Sequence, residues 1–211
     1  PKIVFPALAL LVSGKHTELV YMPKNNQYEK IGKTLDDAAG EAFDKCAKVI
    51  GLPYPGGPVV DKLSKLGNPD AFHFNKPRIP DFNYSFSGLK TSFLYFIRDE
   101  LKVNQNFIEE RKNDLCASLQ RTIIEILMDK LIKAAKKTGI NEITIAGGVS
   151  ANSGIRETIK KEGEKRGWKV FIPKFQFTTD NAAMIAITGY YKYLKKEFVS
   201  QDIAPLARYK F

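Results

Sequence analysis

A chain of 211 residues that is 44% hydrophobic can bury a sizeable core, as one large domain or two small ones, and is not a disordered polypeptide. Its longest apolar run, residues 6–12, is strand-sized, and the N-terminus lacks the basic region, hydrophobic core and cleavage site of a secretory signal, so a soluble, cytoplasmic chain with no membrane association is expected. The 33 basic residues outnumber the 23 acidic ones for a net charge of +10. They cluster at Lys130, Lys133, Lys136 and Lys137, at Lys160, Lys161, Lys165 and Arg166, and at Lys192, Lys195 and Lys196; each cluster is either a solvated helix face or a contact for a polyanion such as RNA.

The apolar run predicts a first strand over residues 7–12. Ser13-Gly14-Lys15-His16 makes a turn, residues 17–21 return as a second strand, and residues 28–31 follow as a third, giving a meander. Asp36 and Asp37 open a helix predicted over residues 37–50 and ended by Gly51 and Pro53. On it Asp37, Glu41 and Asp44 fall at i, i+4 and i+7, one stripe of three carboxylates. Such a stripe is either a solvated acidic face or one whose repulsion is relieved by a cation or a hydroxyl-rich ligand. Tyr54-Pro55-Gly56-Gly57-Pro58 reads as a glycine-rich turn before a short helix ending near residue 66. Residues 67–87 are irregular, and helical patterns over 87–101 and 107–137, the latter as one helix or two, complete an all-helical stretch over residues 58–138. Cys46 and Cys116 fall within helix-like patterns, which fits buried thiols better than a disulfide or a metal knuckle.

Residues 142–152, Glu-Ile-Thr-Ile-Ala-Gly-Gly-Val-Ser-Ala-Asn, carry the sharpest signal. Ile143, Thr144 and Ile145 read as a buried strand, the chain breaks at Gly147 and Gly148, and Ser150 and Asn152 can cap a helix over residues 153–166. Paired glycines and the free N–H groups of a helix start suit a phosphate, although an ordinary tight strand-to-helix turn would have the same pattern. A strand over residues 168–172 follows, and Thr179 or Asp180 can cap a helix running to residue 193. A meander, a helix, then strand-helix-strand-helix is the α/β pattern of a half-domain of the actin-like and sugar-kinase ATPase class, with a ribonuclease H-like core. Residues 1–57 and 139–211 are expected to form its two parts, with residues 58–138 as a helical insertion.

Six stretches then match one family in order: Leu11-Val12-Ser13-Gly14-Lys15-His16-Thr17, Asp36-Asp37-Ala38-Ala39-Gly40-Glu41-Ala42-Phe43-Asp44-Lys45, Tyr54-Pro55-Gly56-Gly57-Pro58, Phe86-Ser87-Gly88-Leu89-Lys90-Thr91, residues 146–152, and Thr179-Asp180-Asn181-Ala182-Ala183-Met184. The chain resembles the tRNA threonylcarbamoyladenosine transferases, the TsaD and Kae family once labelled O-sialoglycoprotein endopeptidase. The resemblance implies transfer of threonylcarbamoyl from threonylcarbamoyl-AMP to the exocyclic amine of adenosine 37 in tRNAs reading codons that begin with A. Carried over by motif, Leu11, Val12, Ser13, Gly14 and Lys15 form a substrate-binding loop, and Asp44, Gly57, Asp61 and Asn152 are further adenylate-binding positions. Asp180 would bind one divalent metal per subunit, iron in first place, with zinc or magnesium as alternatives. The implied partners are tRNA, an actin-like TsaB-like subunit and a TsaE-like ATPase subunit.

Two departures from the family pattern stand out. The loop usually reads Ser-Gly-Gly-His, and Lys15 replaces its second glycine, so the backbone there is either ordinary or strained, and the ammonium could face a phosphate. The family's two metal-ligating histidines lie in a His-x-x-x-His motif on an N-terminal domain, whereas this sequence has only His16 and His73. A C-terminal portion, inactive alone, is therefore expected. A non-catalytic scaffold of the same fold is the alternative, and a metalloprotease is poorly supported because no His-Glu-x-x-His helix is present.

Overall fold

The computed structural model describes residues 3–206. Strand β1 (Ala7–Val12) is the centre of a five-stranded sheet in the order β3-β2-β1-β4-β5. On one side it pairs antiparallel with β2 (Thr17–Met22), which pairs antiparallel with β3 (Glu29–Lys33) across a register shift at Leu19 and Val20. On the other side it pairs parallel with β4 (Glu142–Ala146), and β4 with β5 (Lys169–Phe171). The meander and the later strand-helix-strand-helix order are those expected, and the architecture is the mixed α/β fold of the actin-like class.

Side chains alternate along a strand, and the registers Leu10↔Leu19 and Leu10↔Ile145 put Leu8, Leu10, Val12, Leu19, Ile143 and Ile145 on one face. That face is fully buried and belongs to one continuous apolar core that also takes in α1 (Ala39–Val49), α2 (Gly56–Ser64), α3 (Ser87–Val103), α4 (Phe107–Thr138) and α5 (Ser153–Arg166). The helices of residues 58–138 thus share a core with the sheet. The opposite face carries a smaller cluster of Ala7, Ala9, Val20 and Met22. Residues 107–138 form one uninterrupted helix, closed by Gly139 at φ +71, and α5 closes the same way on Gly167 at φ +70. Both cysteines are buried and unpaired.

Several local expectations are corrected. Helix α1 starts at Ala39, so Asp37 lies outside it, and the carboxylate stripe is divided. Lys45 Nζ sits 2.6 Å from Asp37 and 2.8 Å from Glu41, which relieves their repulsion within the chain, while Asp44 turns to another partner. The glycines of residues 54–58 do not precede a helix but form the first turn of α2, which Pro55 precedes in an extended conformation. Neither Thr179 nor Asp180 caps α6 (Ala182–Leu194); Asn181 does, its side chain accepting from Met184 N at 3.1 Å. No residue of α6 is buried, and Ile185 is 77% exposed. Lys130 does not join a basic surface: it is buried and donates to the carbonyls of Ile79 and Asp81. Burial, the main influence on it, lowers its pKa. Lys133, Lys161 and Arg166 pair with Asp129, Glu157 and Glu162 one turn away, as solvated helix faces do.

Candidate functional site

Three stretches far apart in sequence meet at Gly40. A Cβ on this residue would lie 2.7 Å from Ser13 O, 2.8 Å from Gly14 Cα and 2.9 Å from Val149 Cγ2, so only glycine lets the first turn of α1 touch both the β1–β2 turn and the turn after β4. The Gly40 amide donates to Ser13 O at 3.2 Å across that junction. Beside it opens a cleft of about 360 Å³, within the size range of small-molecule sites. Gly14, Asp44, Gly57, Asp61 and Asn152 line it, bringing together five of the ten residues assigned from sequence.

The other five lie elsewhere. Val12 is buried in the sheet, and Leu11 lies on the opposite face, packed against the smaller cluster. Ser13 organises the turn, its Oγ accepting from His16 N at 2.9 Å and Lys15 N at 3.2 Å. Lys15 is exposed and does not line the cleft. The non-glycine residues with positive φ among the described residues are Asn26, Asp81 and Lys196, so the Lys15 backbone is ordinary and the lost glycine causes no strain. Asp180 is exposed on the segment leading into α6. That segment passes near the cleft, since a Cβ at Gly148 would lie 4.0 Å from Thr179 Cγ2. Among the described residues no group of three or more His, Cys, Asp or Glu side chains could hold a metal ion. Asp180 therefore does not make a metal site with its neighbours here.

The polar residues of the cleft are already engaged by the protein. Asp44 Oδ1 accepts from Gly56 N at 2.8 Å and Gly57 N at 3.2 Å, which places a carboxylate on the first amides of α2, where the helix dipole favours it. Asp61, on α2, accepts from Ser153 N at 3.1 Å and from Ser153 Oγ at 2.7 Å. Asn152 caps α5 by accepting from Ile155 N at 3.0 Å. Two of the first amides of α5, those of Ser153 and Ile155, are thus taken by Asp61 and Asn152.

What remains for a ligand is the 3₁₀ turn Gly148–Ala151 between β4 and α5, whose Gly148, Val149 and Ala151 line the cleft. Gly147 serves the protein rather than a ligand. It sits at φ +91, and a Cβ there would fall 2.4 Å from Val12 O, so it is the point where the turn passes over the end of β1. Gly148 is exposed and open on its cleft side.

Sequence reasoning missed the apolar wall of the cleft, formed by Phe43, Tyr54, Pro55, Pro58 and Val149. Each sits inside a motif already singled out for its polar or glycine residues, so the signal was present but attributed to turns and core. Tyr54 is 86% exposed at the rim. Cysteine chemistry does not contribute: burial pushes the Cys46 thiol up to about 12 and the Cys116 thiol up to about 11, so neither is a thiolate near neutral pH.

Residues 1–187 match the family model for TsaD, tRNA N6-adenosine threonylcarbamoyltransferase. A tRNA N6-adenosine threonylcarbamoyltransferase of Phocaeicola vulgatus is 62% identical over 198 residues, covering 94% of this chain and 58% of that protein. One from Christiangramia forsetii is 56% identical over 210 residues, covering 100% of this chain and 62% of the relative. The chain thus spans about three fifths of the length of these curated relatives. Two solved structures share the fold. Full-length HypF, in a phosphate- and nucleotide-bound form, superposes with a TM-score of 0.59 at 13% identity, over 78% of this chain and 36% of that one. The activator of 2-hydroxyisocaproyl-CoA dehydratase from Clostridium difficile, with bound ADPNP, gives 0.51 at 15% identity, over 96% and 67%.

Proposed function

The chain belongs to the tRNA N6-adenosine threonylcarbamoyltransferase family, and we propose that its cleft takes threonylcarbamoyl-AMP as donor for the modification of adenosine 37 in tRNA. The observation that carries the proposal is convergence: Gly14, Asp44, Gly57 and Asn152, from four separate motifs, and Asp61 just beyond one of them line one cleft with an apolar wall and a glycine turn. Phe43, Tyr54, Pro55 and Pro58 would hold the adenine face. Asp44, with Oδ1 fixed on the Gly56 and Gly57 amides, keeps Oδ2 as an acceptor for a ribose hydroxyl. The turn Gly148–Ala151 would meet the phosphate.

In transfer, the adenine amine of tRNA bonds the carbamoyl carbon and gives up one proton to solvent, the bond from that carbon to the phosphate oxygen breaks, and AMP leaves with the electron pair of that bond. The cleft residues bind and orient the donor, with Asp44 and Asp61 held in place by hydrogen bonds from helix amides. The two structural neighbours were solved with a nucleotide bound, ADPNP in the dehydratase activator, which favours a nucleotide site in the same class of fold.

A divalent metal, iron in first place, would use Asp180 as one ligand with others from outside the described residues, and no step above passes through it. tRNA, an actin-like subunit and an ATPase subunit belong to the same proposal, as does a cytoplasmic location. No helix among the described residues is long and apolar enough to cross a membrane. The relatives' shared name favours the enzyme over a non-catalytic scaffold.

The test is transfer of labelled threonylcarbamoyl from threonylcarbamoyl-AMP to tRNA by the full-length protein with its partner subunits. Label on adenosine 37 is expected; bound adenylate without transfer would sink the enzyme reading in favour of the scaffold.

A further inference from the structure

Gln120 lies in the middle of α4, where its neighbours Leu119 and Ile123 are core residues, and it is 7% exposed. Burying an amide without partners costs free energy, so both of its ends need them. Oε1 accepts from Asn152 Nδ2 at 2.6 Å, and Nε2 donates to Ser64 Oγ at 2.8 Å. Ser64 Oγ in turn donates to the Asp61 carbonyl at 2.9 Å. The donors all point one way, from Asn152 through Gln120 and Ser64 to Asp61, and the Asp61 carboxylate returns to the start of α5 through Ser153. Gly154 makes room for this relay, since a Cβ there would come within 2.7 Å of Gln120 Nε2.

Packing alone asks for an apolar side chain at this position, and the glutamine supplies something else. Asn152 Oδ1 accepts from Ile155 N, and its amide nitrogen donates to Gln120. Together these two bonds fix which edge of the Asn152 amide carries the N–H groups, and they leave one amide hydrogen uncommitted. Asn152 lines the cleft, whereas Gln120 and Ser64 do not.

We propose that Gln120 is a positioning residue for the cleft: through Asn152 it presents an N–H to an acceptor atom of the bound nucleotide. The inference rests on the adenylate reading of the cleft. Binding of AMP to the full-length protein, measured by titration calorimetry beside a melting curve for each variant, tests it. Gln120→Met removes the acceptor that holds Asn152 and is expected to weaken AMP binding by about three- to tenfold, the range for one hydrogen bond. Gln120→Glu keeps an acceptor opposite Asn152 and is expected to stay within about twofold of the parent.

Ser64→Ala cuts the relay beyond Gln120 and is expected to lower the melting temperature while leaving AMP affinity unchanged. Should Gln120→Met fail to fold, Gly154→Ala, whose Cβ displaces the Gln120 amide, is expected to show the same loss of affinity. Equal loss in Gln120→Met and Ser64→Ala, or no loss in the variant that displaces Gln120, overturns the positioning role alone. A parent protein that binds no AMP overturns the cleft's assignment, and the positioning role with it.

Discussion

Asp61 shows how one side chain can carry two duties. It lines the cleft and also satisfies the first amide and hydroxyl of α5, so Asp61→Ala should cost about 1–3 kcal/mol of stability, the range for a lost charged cap, measured by urea denaturation. Gly147 is constrained twice over, by φ +91 and by Val12 O at 2.4 Å from any Cβ. Gly147→Ala should therefore destabilise by roughly 2–4 kcal/mol, through strain and displaced backbone. Tyr84 is fully buried and its hydroxyl has no hydrogen-bond partner among the described residues, so Tyr84→Phe should leave the melting temperature unchanged or raise it. At this scale the sequence was legible where chemistry is local: a glycine pair after a strand, an asparagine before a helix. It was not legible for Asp44 and Asp61, because a carboxylate's partners, here amides 12 and 92 residues away, are set by tertiary packing. Nor was the correct cap of α6 legible, since Thr179, Asp180 and Asn181 are all competent and backbone geometry chose the last.

Among elements, Asp36 ties the approach to α1 to the start of α3. Its carboxylate accepts from Ser85 Oγ, Phe86 N at 2.7 Å, Ser87 N at 3.3 Å and Ser87 Oγ at 2.8 Å. Burial is the largest single influence and raises its pKa, but the hydrogen bonds together outweigh it and hold the group below its ordinary value. A carboxyl depressed by folding stabilises above its unfolded pKa of about 4, and that contribution is lost as pH falls through the folded value. Stability of the parent should therefore drop on acidification below about pH 4, and Asp36→Asn should flatten that limb of a pH-dependent melting series. The helices and strands themselves were readable from period and punctuation; β1 and α5 begin and end where the apolar run and the cap place them. The 3₁₀ turn between β4 and α5 was not readable, because Gly-Gly-Val-Ser-Ala-Asn is compatible with a direct entry into the helix. That turn is what leaves Gly148 facing the cleft while Asp61 and Asn152 take the Ser153 and Ile155 amides of α5.

Across the whole molecule, the meander and the alternation of strand and helix after residue 139 were legible, whereas the placing of β4 beside β1 depends on tertiary pairing. The surface reading of the basic clusters was partly misplaced, since a lysine at helical spacing can turn inward when carbonyls await it, as Lys130 does at Ile79 and Asp81. The cleft itself exists only through long-range contact: α1, α2 and the turn after β4 meet because Gly40 and Gly56 let backbones and side chains approach. Gly57 offers the most direct test of what that cleft does. A Cβ there would meet Phe43 Cβ at 3.8 Å, an ordinary contact, so a larger side chain enters the cleft without forcing the fold apart. AMP affinity of the full-length protein should fall by about tenfold or more in Gly57→Leu, a loss of roughly 1.4 kcal/mol, at an unchanged melting temperature. Equal AMP affinity in parent and Gly57→Leu would contradict the assignment of this cleft as the adenylate site.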